Sequence, residues 1–294
     1  GKIFYYTEEE IHKSIESDFQ SGAKEVWITS QDNAAYGLDW ANSRETPSKK
    51  PLGVLDKDNA AYGIDKGKQQ LPQLLNEILN LKHNFKLRLG MADPNNIIPI
   101  QDELIEIYKN KKMFKFIHLP IQSASNKILK DMNRFYTIDQ AENIITKFKT
   151  AFPEGVIATD IIVGYPTETE EDHKKNLEFI KKYKPDVLNI SKFSSHKSTP
   201  AGKLKILPNS ILKKRATELM QIHRETAKQN KQKFLNKTLK VFINKKMTDN
   251  LYQARDENYN IIYLKADKTL LGKEVEVKIT SIGVHNLVGE LVNN

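Results

Sequence analysis

The chain has 294 residues, with a hydrophobic fraction of 39% and a charged fraction of 28%. This length is typical of about two domains, and the composition fits a soluble globular protein. No apolar run reaches the ~18 residues of a membrane span and no secretory signal follows Gly1, so we expect a cytoplasmic protein without a membrane partner. The chain contains no cysteine, which excludes disulfides, thiol catalysis, Cys-ligated zinc and any iron–sulfur cluster held by Cys within this chain.

The net charge of +9 is concentrated in one segment. Residues 203–246 contain 13 Lys and Arg but only two Glu, a local charge of +11, so the remaining 250 residues sum to −2. A segment with so large a positive charge favours a polyanionic partner, and a nucleic acid is favoured over a membrane. The alternative is a lysine-rich surface that is simply solvated.

From the N-terminus to about residue 193, predicted helices alternate with short apolar strands. The first helix, residues 7–21, carries Ile11, Ile15 and Phe19 at a spacing of four, and Thr7 and Glu10 form a capping box. Further helices are predicted at residues 70–81, 100–111, 125–132, 138–148 and 168–183, and strands at residues 25–30, 86–91, 114–119, 156–163 and 187–193. Strands separated by helices indicate parallel strands with right-handed connections, so the five strands predict a partial or complete barrel. No G-x-G-x-x-G follows the first strand, which argues against a dinucleotide-binding Rossmann domain.

A second pattern begins after a long predicted helix at residues 210–231, which closes a first domain at residues 1–232. Residues 233–294 form the predicted second domain, with short strands at residues 239–243, 260–264, 274–279 and 288–292. This pattern is typical of a small all-β barrel of the OB-like kind. One further feature is an octapeptide that begins at Asp32 and recurs almost unchanged from Asp58. Residues 40–57, rich in Pro, Ser and Lys, predict an inserted loop.

Polar side chains gather at the predicted carboxyl ends of the strands, where barrel enzymes place their chemistry. These ends contain Gln31 and Asp32, Arg88 and Asp93, His118 and Gln122, Asp160 and Gly164, and Lys192 with Ser194. Each group taken singly has a structural alternative, such as a core histidine, a hydrogen-bonded carboxylate or a tight turn. Five polar ends at one barrel mouth favour a ligand site, because buried polar groups need partners.

The same strand ends resemble those of the radical S-adenosylmethionine (SAM) methylthiotransferases, most closely the archaeal and eukaryotic branch that modifies tRNA. The segments that carry the resemblance are Trp27-Ile-Thr-Ser-Gln-Asp32, Arg88-Leu-Gly-Met91, His118-Leu-Pro-Ile-Gln-Ser-Ala-Ser125, Ala158-Thr-Asp-Ile-Ile-Val-Gly-Tyr-Pro166 and Thr199-Pro-Ala201. The resemblance covers essentially the whole chain, and residues from about 233 resemble the TRAM domain with which this family binds tRNA. It implies an α/β fold, in which a partial radical-SAM (β/α)6-type barrel precedes a small all-β TRAM (OB-like) domain.

The family chemistry that this resemblance implies is tRNA modification: N6-threonylcarbamoyladenosine next to the anticodon is converted to its 2-methylthio form. In the family, a [4Fe–4S] cluster held by a C-x-x-x-C-x-x-C loop reduces SAM to a 5′-deoxyadenosyl radical, and a second cluster lies on an N-terminal domain. This chain departs from the pattern, since it has no cysteine and begins about where the family chain leaves the cluster loop. We therefore expect a portion of such an enzyme, truncated before or at that loop and catalytically incomplete alone.

Two alternatives come from other classes of protein. One is a degenerate, non-enzymatic RNA-binding protein that keeps the barrel as a scaffold. The other is a metal-independent barrel enzyme in which His118 and Asp160 act together as a catalytic base. The second is disfavoured, because no separate nucleophile or second carboxylate accompanies these two residues.

The resemblance also implies which residues bind the cofactor, and the charge of the basic segment indicates which residues bind the partner. SAM binding is implied for Gln31, Asp32, Arg88, Gln122, Ser123, Ser125, Asp160 and Gly164. No side chain is assigned as catalytic or as a metal ligand, because the cofactor carries the difficult chemistry. The expected partner is tRNA, with phosphates bound by Lys237, Lys240, Lys245 and Lys246. The tail aromatics Phe242, Tyr252 and Tyr263 are candidates for base stacking, but the barrel core is favoured for Phe242 and Tyr263 because both lie inside strand patterns.

Overall fold

A computed structural model describes residues 6–38, 69–195, 200–267 and 269–292 of the chain. The chain divides into two compact units, residues 1–114 and 115–294. The predicted inserted loop at residues 40–57 and the second copy of the octapeptide lie outside the described residues. The predicted domain boundary at residues 232/233 is a different division and stays a prediction.

The described part of the first unit contains a two-stranded parallel sheet with four helices. Its elements in chain order are α1 (Glu8–Gln20), β1 (Glu25–Ile28), α2 (Leu71–Leu79), β2 (Lys86–Leu89), α3 (Pro94–Ile97) and α4 (Gln101–Tyr108). Helix α1 begins after Thr7, which forms the predicted capping box with Glu10. In the sheet, Trp27 lies opposite Arg88 on one face, while Val26 and Leu87 are buried on the other. This alternation sets a polar sheet face apart from a buried one.

The second unit opens with a three-stranded parallel sheet in the order β3-β4-β5. Its elements are β3 (Phe116–His118), α5 (Asn126–Asp131), α6 (Ile138–Ala151), β4 (Val156–Val163), α7 (Glu170–Tyr183), β5 (Val187–Lys192) and α8 (Asn209–Gln232). The alternation of parallel strands with helices confirms the predicted α/β class. Helix α7 begins after Thr169, which forms a capping box with Asp172.

The rest of the second unit is a closed five-stranded barrel, and this confirms the all-β prediction. Its strands are β6 (Thr238–Lys246), β7 (Leu251–Arg255), β8 (Ile261–Lys265), β9 (Glu274–Ile282) and β10 (Asn286–Leu291), in the order β10-β8-β7-β6-β9. Closure leaves no free sheet edge. Alternate side chains of the strands form the core, among them Val241, Ile243, Tyr252, Ala254, Ile262, Leu264, Val277, Ile279 and Leu287.

The barrel-core placement predicted for Phe242 and Tyr263 was wrong. Tyr252 is buried in the barrel core at 2% exposure, whereas Phe242 and Tyr263 are only half-buried. Successive side chains of a strand point to opposite faces. Because Val241 and Ile243 point inward, Phe242 points outward, and Tyr263 does so for the same reason.

Buried contacts attach this barrel to the preceding α/β part of the second unit. Lys231 near the end of α8 is 4% exposed, and its Nζ donates a hydrogen bond to Asn260 Oδ1 at 2.7 Å. Burial lowers the pKa of Lys231, although the nearby Asp186 carboxylate opposes that shift. The backbone N–H of Lys115 donates to the carbonyl oxygen of Glu257 at 2.9 Å. The rings of Phe116 and Tyr259 lie 4.9 Å apart, so strand β3 contacts the turn between β7 and β8 directly.

Candidate ligand-binding site

In the first unit, the loops that follow β1 and β2 are joined by Asp32. Its Oδ1 accepts the backbone N–H groups of Ala34 at 3.1 Å and Asp93 at 2.9 Å, and its Oδ2 accepts from Asn96 Nδ2 at 2.6 Å. Burial raises the pKa of Asp32 against the effect of these hydrogen bonds. Both carboxylate oxygens are therefore engaged in holding the loops, while the neighbouring Gln31 is exposed.

The polar face of the β1–β2 sheet carries an aromatic and a cationic side chain. Trp27 is 49% exposed, and the guanidinium carbon of Arg88 lies 5.3 Å from the centre of its ring. This distance is within the range of a cation–π interaction. The sequence predicted Arg88 as a site residue but not Trp27. The position of Trp27 opposite Arg88 comes from the strand pairing, which no local sequence pattern indicates.

In the second unit, three polar side chains meet on one face of the β3–β4–β5 sheet. His118 Nε2 lies 2.9 Å from Asp160 Oδ2, and Asn189 Nδ2 donates to Asp160 Oδ1 at 2.5 Å. Burial would raise the pKa of Asp160, but the hydrogen bonds from His118 and Asn189 outweigh it and lower that pKa. The side chains of His118 and Asp160 are 16% and 20% exposed, so the group is open to solvent. Asn189 was not predicted from the sequence, although it lies directly opposite Asp160 in the strand pairing.

The loop after β3 holds two predicted serines in the interior. Ser123 is 0% and Ser125 1% exposed. The Ser125 hydroxyl donates to Asp172 Oδ1 at 2.6 Å, and Ser123 Oγ accepts the Ser125 backbone N–H at 3.2 Å. These hydroxyls stabilise the loop. Gln122, in contrast, is half-buried and has a positive φ of 62°, and its backbone continues the pairing with β4 through hydrogen bonds to Asp160 and Ile162.

The loop after β4 is held by a buried ion pair that the sequence did not predict. The backbone N–H of Gly164 donates to Glu168 Oε2 at 2.6 Å, and Arg215 Nη1 donates to the same oxygen at 2.7 Å. Asn176 links the two loops, since its Nδ2 donates to Glu168 Oε1 at 3.2 Å and its Oδ1 accepts the Ala124 N–H at 2.7 Å. Burial raises the pKa of Glu168 although Gly164 and Arg215 oppose the shift.

The space beside Gly164 is filled by a side chain of the protein itself, that of Leu212. Its φ is +78°, and a Cβ atom at this position would clash with the Leu212 side chain. The approach of a ligand to Gly164 stays a prediction, and the requirement for glycine already follows from Leu212.

The four predicted RNA-binding lysines are exposed on the barrel part of the second unit. Three have acidic neighbours: Lys237 with Glu154 at 3.2 Å, Lys240 with Glu274 at 2.8 Å and Lys246 with Asp249 at 3.6 Å. Exposed pairs of this kind contribute little to stability. Arg215 and Lys231, which belong to the same basic segment, are buried. The basic surface is therefore smaller than the charge count implies.

The predicted cofactor residues fall into two sets, one in each unit. Gln31, Asp32 and Arg88 lie in the first unit, while Gln122, Ser123, Ser125, Asp160 and Gly164 lie in the second. Within the second unit, the structure brings Gln122 and Asp160 together through their backbones. In the described ranges no helix is long and apolar enough to cross a bilayer.

Comparison with known proteins identifies the family. The model of the Radical SAM superfamily matches residues 1–180, and the chain belongs to this superfamily. It is 33% identical over 291 residues to a probable threonylcarbamoyladenosine tRNA methylthiotransferase of Archaeoglobus fulgidus, covering 99% of this chain and 62% of that protein. It is 31% identical to the threonylcarbamoyladenosine tRNA methylthiotransferase of Xenopus laevis, covering 100% of this chain and 48% of that protein.

A third relative carries a different name. The chain is 32% identical over 286 residues to a tRNA-2-methylthio-N(6)-dimethylallyladenosine synthase of Thermosipho melanesiensis, covering 97% of this chain and 60% of that protein. The chain thus spans about half to three-fifths of the length of these three relatives.

Membership of this superfamily implies SAM and a [4Fe–4S] cluster, and the residues present do not fit the cluster. Such clusters are held by thiolates, and none of the 294 positions is a cysteine. In the part of the chain that the structure describes, no group of three or more His, Asp and Glu side chains has the spacing of a metal site.

Proposed function

We propose that this chain is the SAM-binding and tRNA-binding portion of a methylthiotransferase that acts on N6-threonylcarbamoyladenosine in tRNA. The observation that carries the proposal is the similarity over 99% of the chain to proteins of that name. Because this chain has no thiolate, the cluster ligands come from outside its residues. When bound, SAM supplies the radical chemistry, and this chain's residues bind and orient the ligands.

Among the predicted cofactor residues, three have side chains that can reach a ligand. Gln31 is exposed, and Arg88 and Gln122 are half-buried. We assign the direct SAM contacts to these side chains. Asp32, Ser125 and Asp160 use their oxygens in internal hydrogen bonds, so we assign them to holding the loops and strands in place.

The barrel part of the second unit is assigned to tRNA. Lys237, Lys240, Lys245 and Lys246 are exposed along β6 and the turn before it. A lysine acts as a compact point charge, which suits phosphates better than base edges. The half-buried rings of Phe242 and Tyr263 add surfaces on which unpaired bases can stack.

The experiment that tests the tRNA assignment is a filter-binding titration across salt concentrations. Replacing the four lysines together with glutamine lowers tRNA affinity and reduces the slope of log affinity against log salt, by roughly 0.7–0.9 for each phosphate that is no longer neutralised. The matched control replaces four exposed lysines of α7, Lys174, Lys175, Lys181 and Lys182, and leaves the slope unchanged. An equal slope before and after the first replacement would refute the assignment.

A comparison of two tRNAs in the same assay tests the substrate. A tRNA that carries N6-threonylcarbamoyladenosine binds more tightly than its unmodified transcript if the chain recognises that base.

The absence of cysteine favours a second candidate, a non-enzymatic RNA-binding protein. Equal affinity for the two tRNAs supports this second candidate instead.

A further inference from the structure

The amino ends of three neighbouring chain segments in the first unit carry lysines. Lys24 precedes β1 and Lys86 opens β2. Residues 112–114 run beside β2, since the backbone N–H of Leu87 donates to the carbonyl oxygen of Lys112 at 2.8 Å. Because the segments are parallel, these lysines meet at one edge of the sheet. This edge is opposite to the one from which the loops after β1 and β2 leave.

Two lysines at this edge hold other lysines in place. The Lys86 ammonium donates a hydrogen bond to the carbonyl oxygen of Lys111 at 2.7 Å, and the Lys112 ammonium donates to that of Leu81 at 2.6 Å. These bonds bring Lys111, and also Lys82, which follows Leu81, next to the amino ends of the strands. The lysines come from three distant stretches of the chain, so the distribution of charge along the sequence does not show their proximity.

Lys24, Lys82 and Lys111 form a surface that we call the amino-end patch. All three side chains are exposed, and among the described residues none of their ammonium groups has an ion-pair or hydrogen-bond partner. Burial lowers the pKa of the adjacent Lys112, and the charge of Lys111 lowers it further. Like charges held this close together favour an anion that neutralises them.

Two carboxylates near the patch have bases of their own. Glu16 Oε2 lies 3.1 Å from His83 Nε2. Glu25 is half-buried and lies opposite Lys86 in the pairing of β1 and β2. Successive side chains of an extended segment point to opposite faces, so Glu25 points away from its neighbour Lys24. The patch therefore keeps a positive charge.

The chemistry of the patch suits a phosphate backbone. In the described ranges, the exposed large apolar side chains lie elsewhere, and the neighbouring ring of Phe85 is only 3% exposed. A protein that inserts into a membrane surface needs exposed apolar side chains, and one that binds unpaired bases needs exposed rings. Lysines alone act as point charges, which bind phosphates without reading bases.

We propose that the amino-end patch binds phosphate groups of tRNA, as a second contact surface apart from the barrel. This inference rests on the proposed function, since that function brings tRNA to this chain. It places RNA contacts in the first unit, outside the basic segment at residues 203–246.

The test replaces the three lysines of the patch together with glutamine and repeats the filter-binding titration across salt concentrations. The slope of log affinity against log salt falls by roughly 2–3, and tRNA affinity at 0.1 M salt falls about a hundredfold, because three phosphates are no longer neutralised. The matched control removes the same charge from helix α7 by replacing Lys174, Lys175 and Lys181. This control leaves both quantities unchanged. A patch variant with the wild-type slope overturns the proposal.

The four-lysine variant of the barrel, measured in parallel, separates this inference from the proposed function. A lower slope in the barrel variant alone overturns the patch and leaves the barrel assignment standing. A lower slope in the patch variant alone supports the patch and refutes the barrel assignment. Wild-type binding of tRNA that does not depend on salt overturns both.

Two further ligands test the chemistry of the patch. Because the patch contacts only the backbone, its replacement lowers affinity by the same factor for tRNA with and without N6-threonylcarbamoyladenosine. Vesicles of phosphatidylcholine and phosphatidylserine in equal amounts test a membrane surface instead. If the patch variant loses vesicle binding but keeps its affinity for tRNA, the proposal is overturned.

A measurement on the wild-type chain avoids any folding defect of the variants. Acetic anhydride modifies exposed lysines, and mass spectrometry of the digested chain reports the rate at each position. Bound tRNA slows the acetylation of Lys24, Lys82 and Lys111, because their ammonium groups are covered by phosphates, and it leaves the rate at Lys174 unchanged. Equal rates at the three patch lysines with and without saturating tRNA would contradict the proposal.

Discussion

Gly164 shows how a single residue couples the loop after β4 to helix α8. Its backbone N–H is bonded to Glu168, and its φ lies in the left-handed region. The space that a side chain would need is occupied by Leu212. Any substitution at Gly164 is therefore destabilising for two reasons, strain in the backbone and a clash with Leu212.

Replacing Gly164 with Ala lowers the free energy of unfolding by about 2–5 kcal/mol, the sum of a left-handed φ for a Cβ residue and overpacking against Leu212. The matched control is Gly272→Ala, at a φ of +77° with no atom within 4 Å of the added Cβ. This control costs about 1–2 kcal/mol, because only the backbone strain remains. Urea unfolding measures both. Equal losses at the two positions would show that Leu212 moves aside freely.

Individual residues mark the limit of what the sequence predicts. Gly164 could be placed just after a strand and Asp160 inside that strand, because the apolar run and the turn that follows it are local signals. Their partners Asn189 and Leu212 lie on other elements, and no local pattern pairs residues so far apart. The same holds for Ser125, whose hydroxyl donates to Asp172 on helix α7.

Helix α7 depends on one carboxylate at its N-terminus. Asp172 accepts hydrogen bonds from Ser125, Thr169 and Lys127. Burial would raise the pKa of Asp172, but these hydrogen bonds outweigh it and hold the pKa well below the usual range. Asp172 thereby ties the start of the helix to the loop after β3.

The pH dependence of unfolding follows from this shift. A carboxylate whose folded pKa is lowered stabilises the protein fully above its unfolded pKa of about 3.9, and that stability is lost as pH falls toward the folded value. Asp172→Asn removes this contribution, so the free energy of unfolding falls less steeply below pH about 4. Ser125→Ala, which deletes one of the hydrogen bonds, gives part of the same effect. Acid unfolding followed by circular dichroism that is identical in all three chains would contradict this assignment.

At the scale of elements, strong periodicity made most helices and strands predictable to within a few residues. Strand β4 matches its predicted bounds, because seven of its eight residues are apolar or β-branched and only Asp160 interrupts them. Strand β7 was missed, because its inward positions are Tyr252 and Ala254 and the small alanine gives a weak apolar alternation. The single turn of α3 was also missed, since four residues are too few for a period to show.

At the scale of the whole molecule, the family chemistry and the composition of this chain disagree. Reconstitution of the purified chain with iron and sulfide yields no [4Fe–4S] cluster and no 5′-deoxyadenosine from SAM, because no thiolate is present. A radical SAM protein that contains cluster cysteines, treated in parallel, is the positive control for the procedure. A broad visible absorption together with 5′-deoxyadenosine from this chain would overturn the prediction.

The buried contact between Lys231 and Asn260 has a mechanical consequence. This contact joins the barrel to helix α8, and the Lys115–Glu257 hydrogen bond and the Phe116–Tyr259 ring contact join it to strand β3 and the residue before it. These contacts consequently oppose rotation of the barrel about the peptide link after α8. The outer surface of the barrel is therefore held in place relative to strand β3.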